Sequence, residues 1–232
     1  MKGGGVDASV RGHRARLKER FAAHGLDGFH AYEVLELLLT YVIPRKDVKP
    51  IAKRLLQHFG TLAEVFDADE HELQGIEGLG FESAQFLKLL KATHAQYLQS
   101  ELADKPLLNS PEIVSQWLRL KLQNKSIEFF GALFTDQQNR CISSEILFEG
   151  TVDRAVVYPR TIIKRALELD AKGIIIFHNH PGGTTKASEQ DINLTRQLIQ
   201  ACITLDLKVL DHFLLAGKEV LSFQEQGWWP TS

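Results

Sequence analysis

The run Ile174-Ile175-Ile176-Phe177 constrains the fold more than any other four residues of the chain. It is apolar throughout, rich in β-branched side chains and bounded by polar residues, so it reads as a buried strand. A strand without a polar face has to be covered on both sides, and the layers that cover it are supplied by helices. The surrounding pattern agrees. Pro159 opens a helix that Gly173 closes, and Ser188 opens another. Phe129 to Thr135 and Cys141 to Phe148 read as two strands joined by the turn Asp136-Gln137-Gln138-Asn139. Leu207 to Leu215 and Val220 to Phe223 read as two more, joined at Gly217-Lys218. Ser110-Pro111 caps a helix expected over 111–124. This half of the chain is therefore expected to be an α/β (α+β) domain with three α/β/α layers.

The first hundred residues have a different period. Leu35, Leu38, Leu39 and Val42 recur at helical spacing, as do Ile51, Leu55 and Phe59. Pro44 ends one helix and Asp47 is positioned to cap the next; Gly60 stops that one and Thr61 caps another. A long helix is expected from about Phe81 to Gln99, and the polar stretch Glu101–Pro106 reads as a linker. Two domains follow: a helical one over 1–105 and a mixed one over 106–232. With 232 residues, 44% of them hydrophobic, the chain has enough apolar material for both, and disorder is disfavoured.

The strand run ends in His178-Asn179-His180-Pro181-Gly182-Gly183. Residues two apart on a strand share a face, so both imidazoles project together. Asp191 falls in the first turn of the helix opened at Ser188, where it can swing toward them. Two imidazoles and a carboxylate suit one zinc ion and leave a fourth tetrahedral position open. A plainer reading also accounts for Ser188-x-x-Asp191, which has the form of a capping box.

At this point a resemblance becomes specific. His178-x-His180 followed by Ser188-x-x-Asp191 resembles the signature of the JAMM (MPN-plus) metalloproteins. Gly12-His13-Arg14-Ala15-Arg16-Leu17, Tyr32–Leu39, Pro44-Arg45-Lys46-Asp47-Val48 and Asp211-His212 are similar to further marks of its RadC branch, historically named as DNA repair proteins. The likeness runs from about Gly12 to Gly227. It implies a zinc hydrolase fold whose best-known members cut isopeptide or peptide bonds. It further implies that His178, His180 and Asp191 hold the metal and that Ser188 hydrogen-bonds the oxyanion. A glutamate at an early strand would be the general base. Glu128, at the start of the first strand, matches the family's placement; Glu145 and Glu149 on the hairpin are rivals. The chain departs from the branch at Gly182-Gly183 after Pro181, at Ala187 before the signature serine and at Thr161 after Pro159-Arg160, none of them a ligand.

Other metal and nucleotide chemistries find no support. His178-Asn179-His180 is not an HNH nuclease motif, whose letters name dispersed residues. His71-Glu72 lacks the second histidine of a zincin helix, and the two cysteines, Cys141 and Cys202, make neither a Cys-x-x-Cys pair nor a disulfide framework. That cysteine usage, with a basic polar start in place of an apolar leader and no run near 20 apolar residues, fits a cytoplasmic protein without membrane spans. Asp211-His212 either supports the metal site from behind or forms a satisfied core pair.

Net charge is −2, which makes no general case for nucleic acid, but the distribution is uneven. Residues 1–54 carry 11 Lys+Arg against 6 Asp+Glu, and 55–105 carry 3 against 9. Gly75-Ile76-Glu77-Gly78-Leu79-Gly80 resembles the turn of a helix-hairpin-helix module spanning about 60–100, in which glycines bare backbone N–H groups toward a DNA phosphate. Candidate DNA contacts are Arg14, Arg16, Gly78, Gly80 and Lys88; the acidic balance of the segment favours a purely structural or protein-binding hairpin. The expected function is a zinc-dependent amide-bond hydrolase acting on a peptide or protein conjugate, with a link to DNA repair or recombination implied by the branch name. The alternative is a DNA-associated accessory protein whose metal site is structural or vestigial. A metal-dependent nuclease ranks below both, because one ligand cluster is visible where such chemistry commonly uses two metals.

Overall fold

The computed structural model describes residues 8–107, 111–122, 127–150 and 158–230. It divides into two compact units, residues 1–93 and 94–232. The first is helical: α1 (Ala8–His24), α2 (Ala31–Val42), α3 (Lys49–Phe59), α4 (Leu62–Asp67), α5 (Glu70–Gln74) and the start of α6 (Phe81–Asp104). Leu35 and Leu39 of α2, Ile51 and Leu55 of α3, Val65, Leu73 and Leu87 fill its core. The helical periodicity had marked these faces. Thr61 caps α4 through a capping box with Glu64, as its position predicted. The N-cap of α3 is Val48, one residue later than expected, though Asp47 Oδ1 still accepts from Lys49 N at 3.0 Å.

Glu101–Pro106 is corrected. Its polarity and proline suggested a linker, but α6 stays helical through Asp104, because Leu98 and Leu102 give this stretch an apolar stripe packed into the second core. The compact units divide earlier, between Thr93 and His94. Ser110, expected as an N-cap, and 123–124, expected to end the next helix, lie outside the described residues.

The second unit continues with α7 (Pro111–Leu122), β1 (Glu128–Thr135), β2 (Cys141–Gly150), α8 (Pro159–Glu168), β3 (Gly173–His180), α9 (Glu189–Ile203), β4 (Lys208–Ala216) and β5 (Glu219–Ser222). The strands form one sheet in the order β2-β1-β3-β4-β5. All neighbours are antiparallel except β3 and β4, which are parallel and joined through α9. β3 is the central strand, and its residues are buried as far as Asn179.

Alternation along the strands sorts side chains to two faces. Phe129, Leu133, Ile175, Phe177, Phe213 and Leu215 meet α7 and the end of α6, where Trp117 packs edge-on against Phe177 with ring centres 5.7 Å apart. Phe130, Ala132, Phe134, Ile174 and Ile176 meet Ile162 and Ala166 of α8 and Leu198 and Cys202 of α9. Helices therefore cover both faces, as the unbroken apolar run required. Gly131 is needed where β1 passes β3: a Cβ there would overlap the Phe177 ring and stand 2.5 Å from the Glu145 carbonyl oxygen.

Candidate metal centre

The site grows from the end of β3. Ile174 and Ile176 point toward α8 and α9, so His178 and His180 continue on that face, and Asn179 points the other way. Pro181 to Ala187 then loop back, and α9 begins at Ser188. The capping box closes there: Asp191 N donates to Ser188 Oγ at 3.1 Å, while Ser188 N and Ser188 Oγ donate to Asp191 Oδ2 at 2.7 and 2.6 Å. The cap and the metal reading are thus compatible. Oδ2 is taken by the cap, and Oδ1 is turned toward His178 Nε2, 3.4 Å away.

The three ligand-type side chains converge. His178 Nε2 and His180 Nε2 are 3.2 Å apart, and Asp191 Oδ2 is 3.6 Å from His180 Nε2. Two nitrogens and an oxygen bound at about 2.0–2.1 Å to one tetrahedral ion stand about 3.3 Å from each other. The edge between the two rings matches that spacing, and Asp191 approaches each ring with a different oxygen, Oδ1 toward His178 and Oδ2 toward His180. His180 Nδ1 lies 2.9 Å from the Thr184 carbonyl, an acceptor only, so the Nδ1 proton sits there. In neutral His180 the Nε2 lone pair then faces His178 and Asp191, a cluster of acceptors that a cation would satisfy. His178, His180 and Asp191 are a group able to hold a metal ion.

The electrostatics agree. Burial works to raise the Asp191 carboxyl, but its pairing with the His178 and His180 rings outweighs it and holds the group far below the usual carboxylate range. The same pairing with Asp191 raises His180, against its own burial. Glu128 shifts upward through burial, opposed by His180 and His178 and reinforced by Asp191.

Glu128 opens β1. Phe130 is paired with His178 in the antiparallel β1–β3 ladder, and continuing that register by two residues sets Glu128 opposite His180, on the same face. Its rivals stand elsewhere. Glu145 is bound to Arg165 Nε and Nη2 at 2.8 Å, and that guanidinium lowers its carboxyl. Glu149 is exposed and pairs with Phe129, on the opposite face.

Two residues that the sequence did not single out complete the site. Asn179 is 3% exposed; its Oδ1 accepts from Phe129 N at 2.6 Å and its Nδ2 donates to Ile127 O at 3.1 Å. It grips the chain on both sides of Glu128. Thr195, buried one turn after Asp191 on α9, meets His212 Nδ1 at 2.8 Å. The pair Asp211-His212 divides its work: His212 Nε2 lies 2.8 Å from His178 Nδ1, whereas Asp211 Oδ2 accepts from Ser222 Oγ on β5 at 2.6 Å. Full burial and the neighbouring His178 drive His212 well below the ordinary imidazole value, so it is neutral.

The candidate DNA contacts sit in the first unit. Gly78 has φ +91 in the turn before α6, where a Cβ would press on Ile51; Gly80 ends that turn. Lys88 Nζ donates to the carbonyls of Ala68 at 2.6 Å and Phe66 at 3.3 Å, at the end of α4. Arg14 donates to Ile43 O at 2.9 Å and to Lys46 O. Arg16 is exposed.

A mixed sheet with helices on both faces and a His-x-His…Asp cluster at the end of its central strand define a JAB-type domain with a candidate metal site. The profile described as "RadC-like JAB domain" matches residues 108–228. A UPF0758 protein of Fusobacterium nucleatum is 40% identical over 224 residues, covering 94% of this chain and 97% of that protein. A UPF0758 protein of Rhodobacter capsulatus is 38% identical over 211 residues, covering 91% and 99%. The chain belongs to the RadC-like JAB-domain family. Among the described residues no helix is long and apolar enough to cross a membrane.

Proposed function

We propose that the protein is a zinc-dependent hydrolase of amide bonds in a peptide or protein conjugate. The observation that carries this reading is the convergence of His178 Nε2, His180 Nε2 and Asp191 Oδ1 beside an acid, Glu128, on the same face of the sheet. A zinc ion held by the three would act as a Lewis acid and bring the pKa of a water at its open position to about 7. Glu128 takes the proton of the attacking water and returns it to the leaving amine, a task that suits a carboxyl shifted upward by burial. Ser188 turns its hydroxyl from Asp191 Oδ2 to donate to the oxyanion as it forms, while its backbone N–H keeps Asp191 in place.

The test has two stages. Purified protein is expected to carry one zinc per chain by elemental mass spectrometry, and His178→Ala to lose it. Zinc-replete protein is then screened against a peptide library, with Glu128→Gln expected to lower kcat at least about 100-fold. A screen in which no amide is cleaved overturns the hydrolase reading. The DNA-associated alternative draws its support from the Gly78 turn, but Arg14 and Lys88 are engaged with backbone carbonyls. Flat anisotropy titrations against single- and double-stranded DNA at low salt would dismiss it.

A further inference from the structure

We propose that His212 and Thr195 are positioning residues that fix the tautomer of His178 and so aim its Nε2 lone pair at the metal. The inference rests on the metal reading above, but it concerns groups that touch no substrate. The direction of the chain of hydrogen bonds follows from its far end. Thr195 Oγ1 donates its one proton to the Asp191 carbonyl at 2.7 Å. The oxygen is then an acceptor toward His212 Nδ1, so that nitrogen carries the His212 proton. His212, neutral in its buried place, has an unprotonated Nε2 left, which accepts from His178 Nδ1 at 2.8 Å. His178 is thereby held as the Nδ1–H tautomer, and its Nε2 faces His180 and Asp191 unprotonated.

The ring geometry supports a fixed device. His212 is fully buried and stacks on Phe223 with ring centres 4.0 Å apart, and His178 lies nearly parallel to Phe130. The chain also returns to its start: Thr195 bonds the main chain of Asp191, whose side chain is the third ligand. One relay through β4 and α9 therefore sets two of the three donors. A core pair that merely satisfied itself would not need His212 Nε2 to point at a ligand.

The experiment measures zinc affinity of the full-length protein by competition with a chromophoric chelator, alongside 15N imidazole spectra of the metal-free protein at pH 8. Thr195→Val keeps the volume and removes the acceptor; His212→Leu removes the whole relay. Each is expected to weaken zinc binding by roughly 10- to 100-fold. His212→Gln, whose amide can accept from His178 and donate to Thr195, and Thr195→Ser are expected to stay within about threefold of the parent. The spectra of the parent are expected to show His178 and His212 both protonated at Nδ1. A folded His212→Leu or Thr195→Val that binds zinc like the parent overturns the relay. So does a His178 found protonated at Nε2 in the metal-free parent, a readout that holds even if neither variant folds. A parent that binds no zinc defeats the metal reading instead, and Nδ1 protons on both rings would still uphold the relay.

Discussion

Replacing Asn179 tests whether the candidate base is held by hydrogen bonding or by packing. In Asn179→Ala the N–H of Phe129 and the C=O of Ile127 lose their partners. The first bond is short, at 2.6 Å, and buried, so stranding its donor costs about 1–3 kcal/mol. The second, at 3.1 Å, is partly open to solvent and contributes about 0.5–1.5 kcal/mol. The expected loss is therefore about 2–4 kcal/mol. At about 2–4 °C per kcal/mol for chains of 150–250 residues, the melting temperature falls by roughly 4–16 °C. Urea unfolding of the full chain is the primary assay, because two compact units can unfold in separate transitions and blur a single thermal midpoint. Asn179→Leu fills the same space without a polar atom. If the hydrogen bonds matter, leucine destabilises as much as alanine. Because residue 179 faces away from His178 and His180, zinc affinity is expected to stay within about threefold in both variants, whereas kcat falls as Glu128 loses its anchor. A leucine variant as stable as the parent would refute the argument, since packing alone would then account for the site.

Three further outcomes follow from the same geometry. Gly131→Ala forces a methyl against the Phe177 ring and the Glu145 carbonyl, one of them immovable backbone, so its cost lies at or above the top of the roughly 1–3 kcal/mol range for overpacking, read as lost soluble yield or a lower urea midpoint. Burial pushes the thiols of Cys141 and Cys202 up to about 11, so at pH 8 iodoacetamide is expected to alkylate folded protein about a hundredfold more slowly than the urea-unfolded chain. Arg165 lowers the Glu145 carboxyl in the folded state, so the stability this pair contributes is present above the unfolded carboxyl value of 4.5 and is lost as pH falls through the lower folded value. Glu145→Gln should flatten that acid limb in urea titrations, and high salt should shrink the difference, because both groups are partly exposed.

Much of this was legible in the residues, for physical reasons that differ by element. The run Ile174–Phe177 could only be a covered strand, and period two then fixed both imidazoles on one face. The helix start at Ser188 was legible because capping is local chemistry, confined to four residues. The end of α6 was misread because Glu101, Asp104, Lys105 and Pro106 look like a linker along the chain, while what keeps the stretch helical through Asp104 is the packing of Leu98 and Leu102 against residues distant in sequence. Thr195 and Asn179 were missed for the same cause. Their partners lie on other elements, between 17 and 52 residues away, apart from the local bond to Asp191. Asn179 did leave one signal: an amide alternating onto the covered face of a buried strand has to find hydrogen-bond partners there.

The distribution of these contacts explains why the signature tolerates departures in the loop. Two donors of the cluster are oriented by groups on regular elements or at their ends: His178 by β4, Asp191 by the first turn of α9. His180 alone leans on the loop, through the Thr184 carbonyl. Main chain supplies that contact, so the side chains between Pro181 and Ala187 can vary while the acceptor stays, provided the turn closed by Gly183 N and His180 O keeps its shape. Gly183 holds φ +74 in that turn, a region that a β-branched residue enters only under strain. Gly183→Val is therefore expected to move the Thr184 carbonyl and weaken zinc binding by roughly tenfold, the lower bound for losing a group that orients a ligand. Gly182→Ala, with open space around its Cβ and no positive φ, should leave affinity unchanged. Equal affinities for the valine variant and the parent in the chelator assay would mean that His180 is held by something other than the loop.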